Sequence, residues 1–174
     1  MPSAVMAEIG WPQLIVLLVA AQRLGELVLA NRNTARLLAR GAVEVGAGHY
    51  PLFPLLHGSW LLALLLLVPA QASIHAGLLL LFLLLQAGRV WVIATLGRFW
   101  TTRIITLPGA PLVRRGPFRL VRHPNYLIVA GEIAVLPLAF GAWELALLFS
   151  LLNAALLAYR IRREEAALAP RRAG

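Results

Sequence analysis

Residues 74–96 read IHAGLLLLFLLLQAGRVWVIATL, and past His75 the run is broken only by Gln86, Arg89 and Thr95. At 1.5 Å per residue a helix of this length reaches about 34 Å, enough to cross the ~30 Å hydrocarbon layer of a bilayer. The run decides the fold class because the chain repeats it. Residues 11–30 form a second apolar stretch, ended by Asn31-Arg32-Asn33, and residues 51–68 a third, stopped by Pro69. Residues 126–159 amount to about two crossings. Their break at Phe140-Gly141-Ala142, just after Pro137, predicts a tight helical hairpin with short, tilted or incompletely crossing arms. The resulting expectation is an all-α polytopic membrane helix bundle of about five transmembrane helices, closing in a C-terminal hairpin. Residues 1–174 are read as one integral membrane domain with no room for a separate soluble module.

Composition agrees. Of the 174 residues 60% are hydrophobic and 13% charged, an apolar share above that of soluble domains. The formal net charge of +9 invites a nucleic-acid reading, which the placement of charge argues against. Every basic residue is Arg, Asp is absent, and the arginines gather between apolar runs. Arg32, Arg36 and Arg40 follow the first span. Arg98, Arg103, Arg114, Arg115, Arg119 and Arg122 lie between the third and fourth, and Arg160, Arg162, Arg163, Arg171 and Arg172 follow the fifth. Residues 69–73 and Gly141 carry no charge. Five spans with an external N-terminus put every basic segment in the cytosol, whereas four would leave one cluster outside. Exclusive use of Arg fits a GC-rich bacterial genome, so the bacterial inner membrane is the expected location. Residues 1–10 contain Glu8 but no Arg and no evident cleavage site, so no signal peptide is read there. Without cysteine, disulfides, thiol nucleophiles and zinc–thiolate sites are excluded.

The linker 97–125 is long for a plain connection and too aromatic and β-branched for a disordered one. It holds a strand-like run at 104–107 and turns at Pro108-Gly109, Pro111 and Gly116-Pro117. Arg122-His123-Pro124-Asn125-Tyr126 stands at the entrance of span four. Pro124 keeps His123 out of helical geometry and suits a helix start, whose amides can seat an anion; a positive anchor with an ordinary cap is the plainer alternative. At the end of span five, Tyr159-Arg160-Ile161-Arg162-Arg163-Glu164-Glu165 puts Arg160 and Glu164 on one helix face with Asn153 seven residues earlier. An i,i+4 ion pair on a solvated helix end is the alternative there. A hairpin would bring both clusters to one rim. Arg23 and Glu26 read as a structural ion pair inside span one, with Gln86 and Arg89 inside span three. Glu132, Glu144 and His57 are possible cavity residues, and His49 and His75 read as interface residues. No His/Glu spacing suits a metal and no Gly-rich phosphate loop follows a strand, so zinc and Rossmann readings fail.

The order of these motifs resembles the isoprenylcysteine carboxyl methyltransferase family. The similarity rests on Pro111-Leu112-Val113-Arg114-Arg115-Gly116-Pro117-Phe118, then Arg122-His123-Pro124-Asn125-Tyr126, a double helix span, and Arg160-Ile161-Arg162-Arg163-Glu164-Glu165-Ala166-Ala167-Leu168. It covers roughly residues 86–168, and the N-terminal half looks more like small bacterial members. The resemblance implies S-adenosylmethionine as cofactor, held on the cytosolic side of the helical domain. Carried over by motif, Ala110, Pro111, Leu112, Val113, Phe118, His123, Pro124, Asn125, Tyr126 and Glu164 would surround it. Arg160 would hold the methyl acceptor, reached from the bilayer through a gap between helices. Phe118 stands where Tyr is common and Ala110 where eukaryotic members have His, so those two side-chain contacts are lost.

Methyl transfer by in-line displacement needs alignment and exclusion of water more than a strong acid or base. An acceptor that is already an anion, a carboxylate or an acidic hydroxyl, suits Arg160, which would orient it. The acceptors implied are a lipophilic small molecule of the alkylpyrone or alkylresorcinol type first, and a prenylated or otherwise lipidated carboxylate second. Two other classes remain at this stage: an NADPH-dependent membrane reductase of related fold, and a non-catalytic membrane scaffold.

Overall fold

The computed structural model describes residues 9–172, with side chains to Ala169. The reading of residues 1–8 and the side chains of Arg171 and Arg172 lie outside the described residues. Five α-helices carry the chain: α1 Trp11–Leu38, α2 Leu52–Leu67, α3 Ala76–Leu96, α4 Pro124–Ala139 and α5 Trp143–Arg172. Two three-residue strands, β1 Val43–Val45 and β2 Ile104–Thr106, pair antiparallel with Val45 opposite Ile104. The helical membrane bundle expected from the sequence is present, and the small ribbon is an addition to it.

Among the described residues four helical segments are long and apolar enough to cross a bilayer: Trp11–Leu38, Ala47–Leu67, Ala76–Phe99 and Trp143–Ala169. The expected fourth span, α4, has 16 residues. Its length of about 24 Å falls short of the ~30 Å layer. The hairpin is therefore asymmetric, with one short arm and one arm of 30 residues, not two short ones. The cause is local. Pro137 ends the α4 ladder, Ala142 N–H bonds back to Pro137 O at 2.9 Å, and Gly141 turns the chain at φ +74°. A side chain with Cβ would be strained at that angle.

The short helix is the core of the bundle. It packs between α3 and α5 and buries Val129, Glu132, Ile133, Leu136 and Pro137. Trp60 and Leu64 of α2, Phe82 of α3 and Phe149 of α5 close around it. Outward-facing leucines such as Leu18, Leu55, Leu66, Leu80, Leu84 and Leu151 remain exposed, the surface a bilayer would solvate. At one end, Gln13 Nε2 donates to Val68 O at 2.7 Å and His75 N–H to Ala139 O at 2.9 Å, fixing the α2–α3 turn against α1 and α4.

Mid-bundle polar residues meet in one network. Arg23 bridges Glu26 at 3.1 Å and Glu132 at 2.7 Å, and Arg89 reaches the same two carboxylates at 2.7 and 3.3 Å. Gln22 donates to Glu26 at 2.9 Å and Gln86 to Gln22 at 2.8 Å. The expected Arg23–Glu26 pair is thus half of a neutral quartet joining α1, α3 and α4. At the opposite end from the α2–α3 turn, β1 follows α1, β2 follows α3, and both contact α5. The three basic segments read from the sequence therefore share one rim.

Candidate active site

The rim site grows from the start of α4 and the end of α5. Pro124 opens α4, where its missing N–H costs nothing, and His123 caps it in a non-helical conformation. Tyr126, one turn on, points at α5. Its hydroxyl donates to a Glu164 carboxylate oxygen and accepts from Arg160 Nε at 2.8 Å. A second guanidinium nitrogen, Arg160 Nη2, donates to Thr102 O in the linker at 2.7 Å. The direct Arg160–Glu164 pair, the plainer alternative offered by the sequence, does not form, because the Tyr126 hydroxyl stands between them. Arg160 is buried at 7% exposure, and its guanidinium lies 4.6 Å from the centre of the Phe53 ring on α2. Its Nη1 has no hydrogen-bond partner among the described residues. His123 stacks on Tyr126 with ring centroids 5.3 Å apart and lies 3.4 Å from Glu165 and 3.9 Å from Glu164.

Two cavities meet at this cluster. The first, about 470 Å³, opens at the rim and is walled by the 97–126 linker and the end of α5. Of the residues expected around a cofactor, Pro111, Leu112, Val113, Phe118, His123, Pro124, Asn125, Tyr126 and Glu164 line it. Ala110 does not border it; the segment turns there, with Ala110 N–H bonded to Leu107 O. Arg103, Arg114 and Arg122 border it as well. Asn125 Oδ1 is buried without a hydrogen-bond partner among the described residues. The second cavity, about 460 Å³, is lined mainly by apolar residues of α1 and α2. Trp100, Thr101, Asn125, Tyr126 and Arg160 belong to both walls. Arg160 thus stands where a rim cavity bordered by Arg103, Arg114, Arg122 and Glu164 joins a more apolar one between helices.

Asn153 takes no part. It is inward-facing and 1% exposed but borders neither cavity, and its place is the helix interface. Glu144 is exposed in the first turn of α5, His75 precedes α3, and His49 contacts Tyr159 edge-on, so none of the three borders the site. Phe53, Tyr50 and Thr102 do border the second cavity, and the sequence did not single them out. Tyr50 bonds Thr102 Oγ1 at 3.0 Å and lies 4.4 Å below the Arg103 guanidinium, which pairs with Glu44 of β1 at 3.0 Å. Their one signal was the aromatic content of residues 50–53. Its meaning depends on the β1–β2 pairing, which accompanies the approach of Thr102 in the linker to Tyr50.

A family model described as the isoprenylcysteine carboxyl methyltransferase family matches residues 78–170. The chain belongs to that family. Two curated bacterial relatives match nearly the whole length. An uncharacterized protein YpbQ of Bacillus subtilis (strain 168) is 36% identical over 159 residues, covering 89% of this chain and 95% of that one. An uncharacterized protein of Haemophilus influenzae (strain ATCC 51907 / DSM 11121 / KW20 / Rd) is 30% identical over 156 residues, covering 86% and 90%. No solved structure matches. Family membership and the four long apolar helices make the chain an integral membrane methyltransferase. The matched residues run from α3 to α5 and include the whole Tyr126–Arg160–Glu164 cluster. The α1 and α2 walls of the second cavity lie outside them.

Proposed function

We propose that this protein transfers the methyl group of S-adenosylmethionine to an anionic oxygen of a lipophilic acceptor, a carboxylate or an acidic hydroxyl. The observation that carries the reading is the placement of Arg160 and Tyr126 on the wall common to both cavities. The rim cavity suits the cofactor. Its cationic end finds the Glu164 carboxylate, while Arg114, Arg122 and His123 offer donors to its carboxylate, and Asn125 Oδ1 is an unfilled acceptor. A volume of about 470 Å³ lies within the range of cofactor pockets. Bound there, the cofactor supplies an electrophilic methyl on a sulfonium, which passes to the acceptor oxygen and leaves a neutral thioether.

The chain's own residues do the positioning. Tyr126 and the Thr102 carbonyl fix two guanidinium nitrogens of Arg160 and leave Nη1 for the acceptor oxygen. A guanidinium held this way stabilises the ionised acceptor and restricts its orientation, so no separate base is required. Phe53 and the apolar residues of α1 and α2 keep water from the acceptor side. The acceptor is taken as an alkylpyrone- or alkylresorcinol-type lipid in preference to an isoprenylcysteine-like one, and enters from the bilayer. The basic rim faces the cytosol of a bacterial inner membrane with the N-terminus outside, by the arginine asymmetry.

Calorimetry of the detergent-purified chain tests the reading with S-adenosylmethionine, its demethylated product and NADPH. Binding of the first two, weakened about tenfold or more in Glu164→Ala, is expected. NADPH binding without S-adenosylmethionine binding would replace the proposal with a reductase. No binding of any of the three would reject it.

A further inference from the structure

The bilayer-side cavity contains a polar side chain that neither the packing nor the rim chemistry uses. His57 and Phe53 are four residues apart on α2, on one helix face, and both line that cavity. Phe53 lies against the Arg160 guanidinium, so His57 sits about 6 Å deeper along α2 than Arg160. Its ring contacts the edge of Trp60 with centroids 6.5 Å apart and makes no hydrogen bond among the described residues. A neutral imidazole always carries one donor and one acceptor, and leaving both unmet in an apolar wall is unfavourable.

The surroundings say what kind of group would meet them. Arg23, Glu26 and Arg89 border the same cavity, and with Glu132 they balance as two basic and two acidic side chains, each guanidinium paired with both carboxylates. A second ion placed there would have no counter-charge, whereas an uncharged donor or acceptor would need none. We propose that the occupant of this cavity carries a second, uncharged polar group, a hydroxyl or carbonyl, that hydrogen-bonds His57. This group lies about one helical turn from the oxygen at Arg160. The inference rests on the acceptor reading above and narrows it. A simple long-chain acid or single phenol gives His57 nothing, while a lipid head with two oxygen functions a ring's width apart reaches both stations. Since α2 lies outside the residues matched by the family model, the subsite belongs to the N-terminal part of this chain and not to the shared methyl-transfer motif.

The test compares binding of 5-pentadecylresorcinol, with two hydroxyls, and 3-pentadecylphenol, with one, by calorimetry on the purified full chain and its His57→Phe variant. The wild type should prefer the diol about tenfold. His57→Phe keeps the ring against Trp60 and should bind the two equally, at the wild-type affinity for the single phenol. His57→Gln, which retains a donor and an acceptor, should keep a preference of about threefold or more and serves if the Phe variant does not fold. Equal binding by the wild type, a diol preference that survives in His57→Phe, or one that vanishes in His57→Gln would each overturn the proposal. S-adenosylmethionine titrated into the same samples separates the two readings. Its failure to bind would reject the proposed function while an intact His57-dependent preference left the subsite standing.

Discussion

Arg160 donates to two fixed oxygens, and Lys cannot reproduce that geometry although it keeps the charge. Arg160→Lys is expected to lower turnover on the order of a hundredfold with cofactor affinity little changed, measured by methyl transfer and calorimetry side by side. Tyr126→Phe removes the oxygen that joins Arg160 to Glu164. It should reduce turnover about tenfold or more, and an unchanged rate would show that the hydroxyl does not position Arg160. At this scale much of the site was legible, because Arg122-His123-Pro124-Asn125-Tyr126 and the Arg160-to-Glu165 run are contiguous and carry the family pattern. The hydroxyl bridge was not. Spacing within one helix suggests an i,i+4 ion pair, and only the inter-helix packing inserts Tyr126 between the two charges. Phe53 and Thr102 were hidden for the same reason, since each gains its meaning from an element distant in sequence, whereas His57 was read as a cavity residue and lines one.

The buried quartet joins three elements, and its weakest point is Glu132, 1% exposed on the central helix. Glu132→Ala would leave Arg23 and Arg89 with one carboxylate between them. The expected loss is about 3–5 kcal/mol, read as a lowered unfolding temperature in detergent. A variant as stable as the wild type would mean that water or lipid headgroups compensate the arginines. Sequence reading found the helices through their apolar length but ended α1 and α5 too early. Helix α1 continues to Leu38, past the polar residues that seemed to end it, because Asn33 donates to Gly97 O and Trp100 O and is buried against the linker. Helix α5 runs on past Tyr159 to Arg172, whereas α4 ends at Ala139, where the Pro137 and Gly141 signals put the break. Strand β1 was invisible: three residues carry no usable periodicity, and its partner lies some sixty positions away.

At the scale of the whole molecule, arginine asymmetry and hairpin topology agree in bringing all basic segments to one rim. The chain has no cysteine, so single substitutions report orientation cleanly. In cells, Arg162→Cys should be shielded from a membrane-impermeant thiol reagent and Ser73→Cys labelled, and the reverse pattern would invert the topology. The fold class was legible because bilayer length is a one-dimensional property. The two-cavity arrangement was not, because it depends on the linker folding back through β1 and β2 against α5 and Tyr50. That arrangement is also the central claim, with Arg160 at the boundary between a cofactor compartment and a lipid compartment. It is tested most directly by Arg160→Ala in reconstituted membranes, measuring S-adenosylmethionine affinity and methyl transfer to 5-pentadecylresorcinol on the same preparation. Cofactor affinity should stay within about threefold of wild type while transfer falls by at least about a hundredfold. Near-normal transfer, or loss of cofactor binding together with transfer, would contradict the placement of Arg160 on the acceptor side.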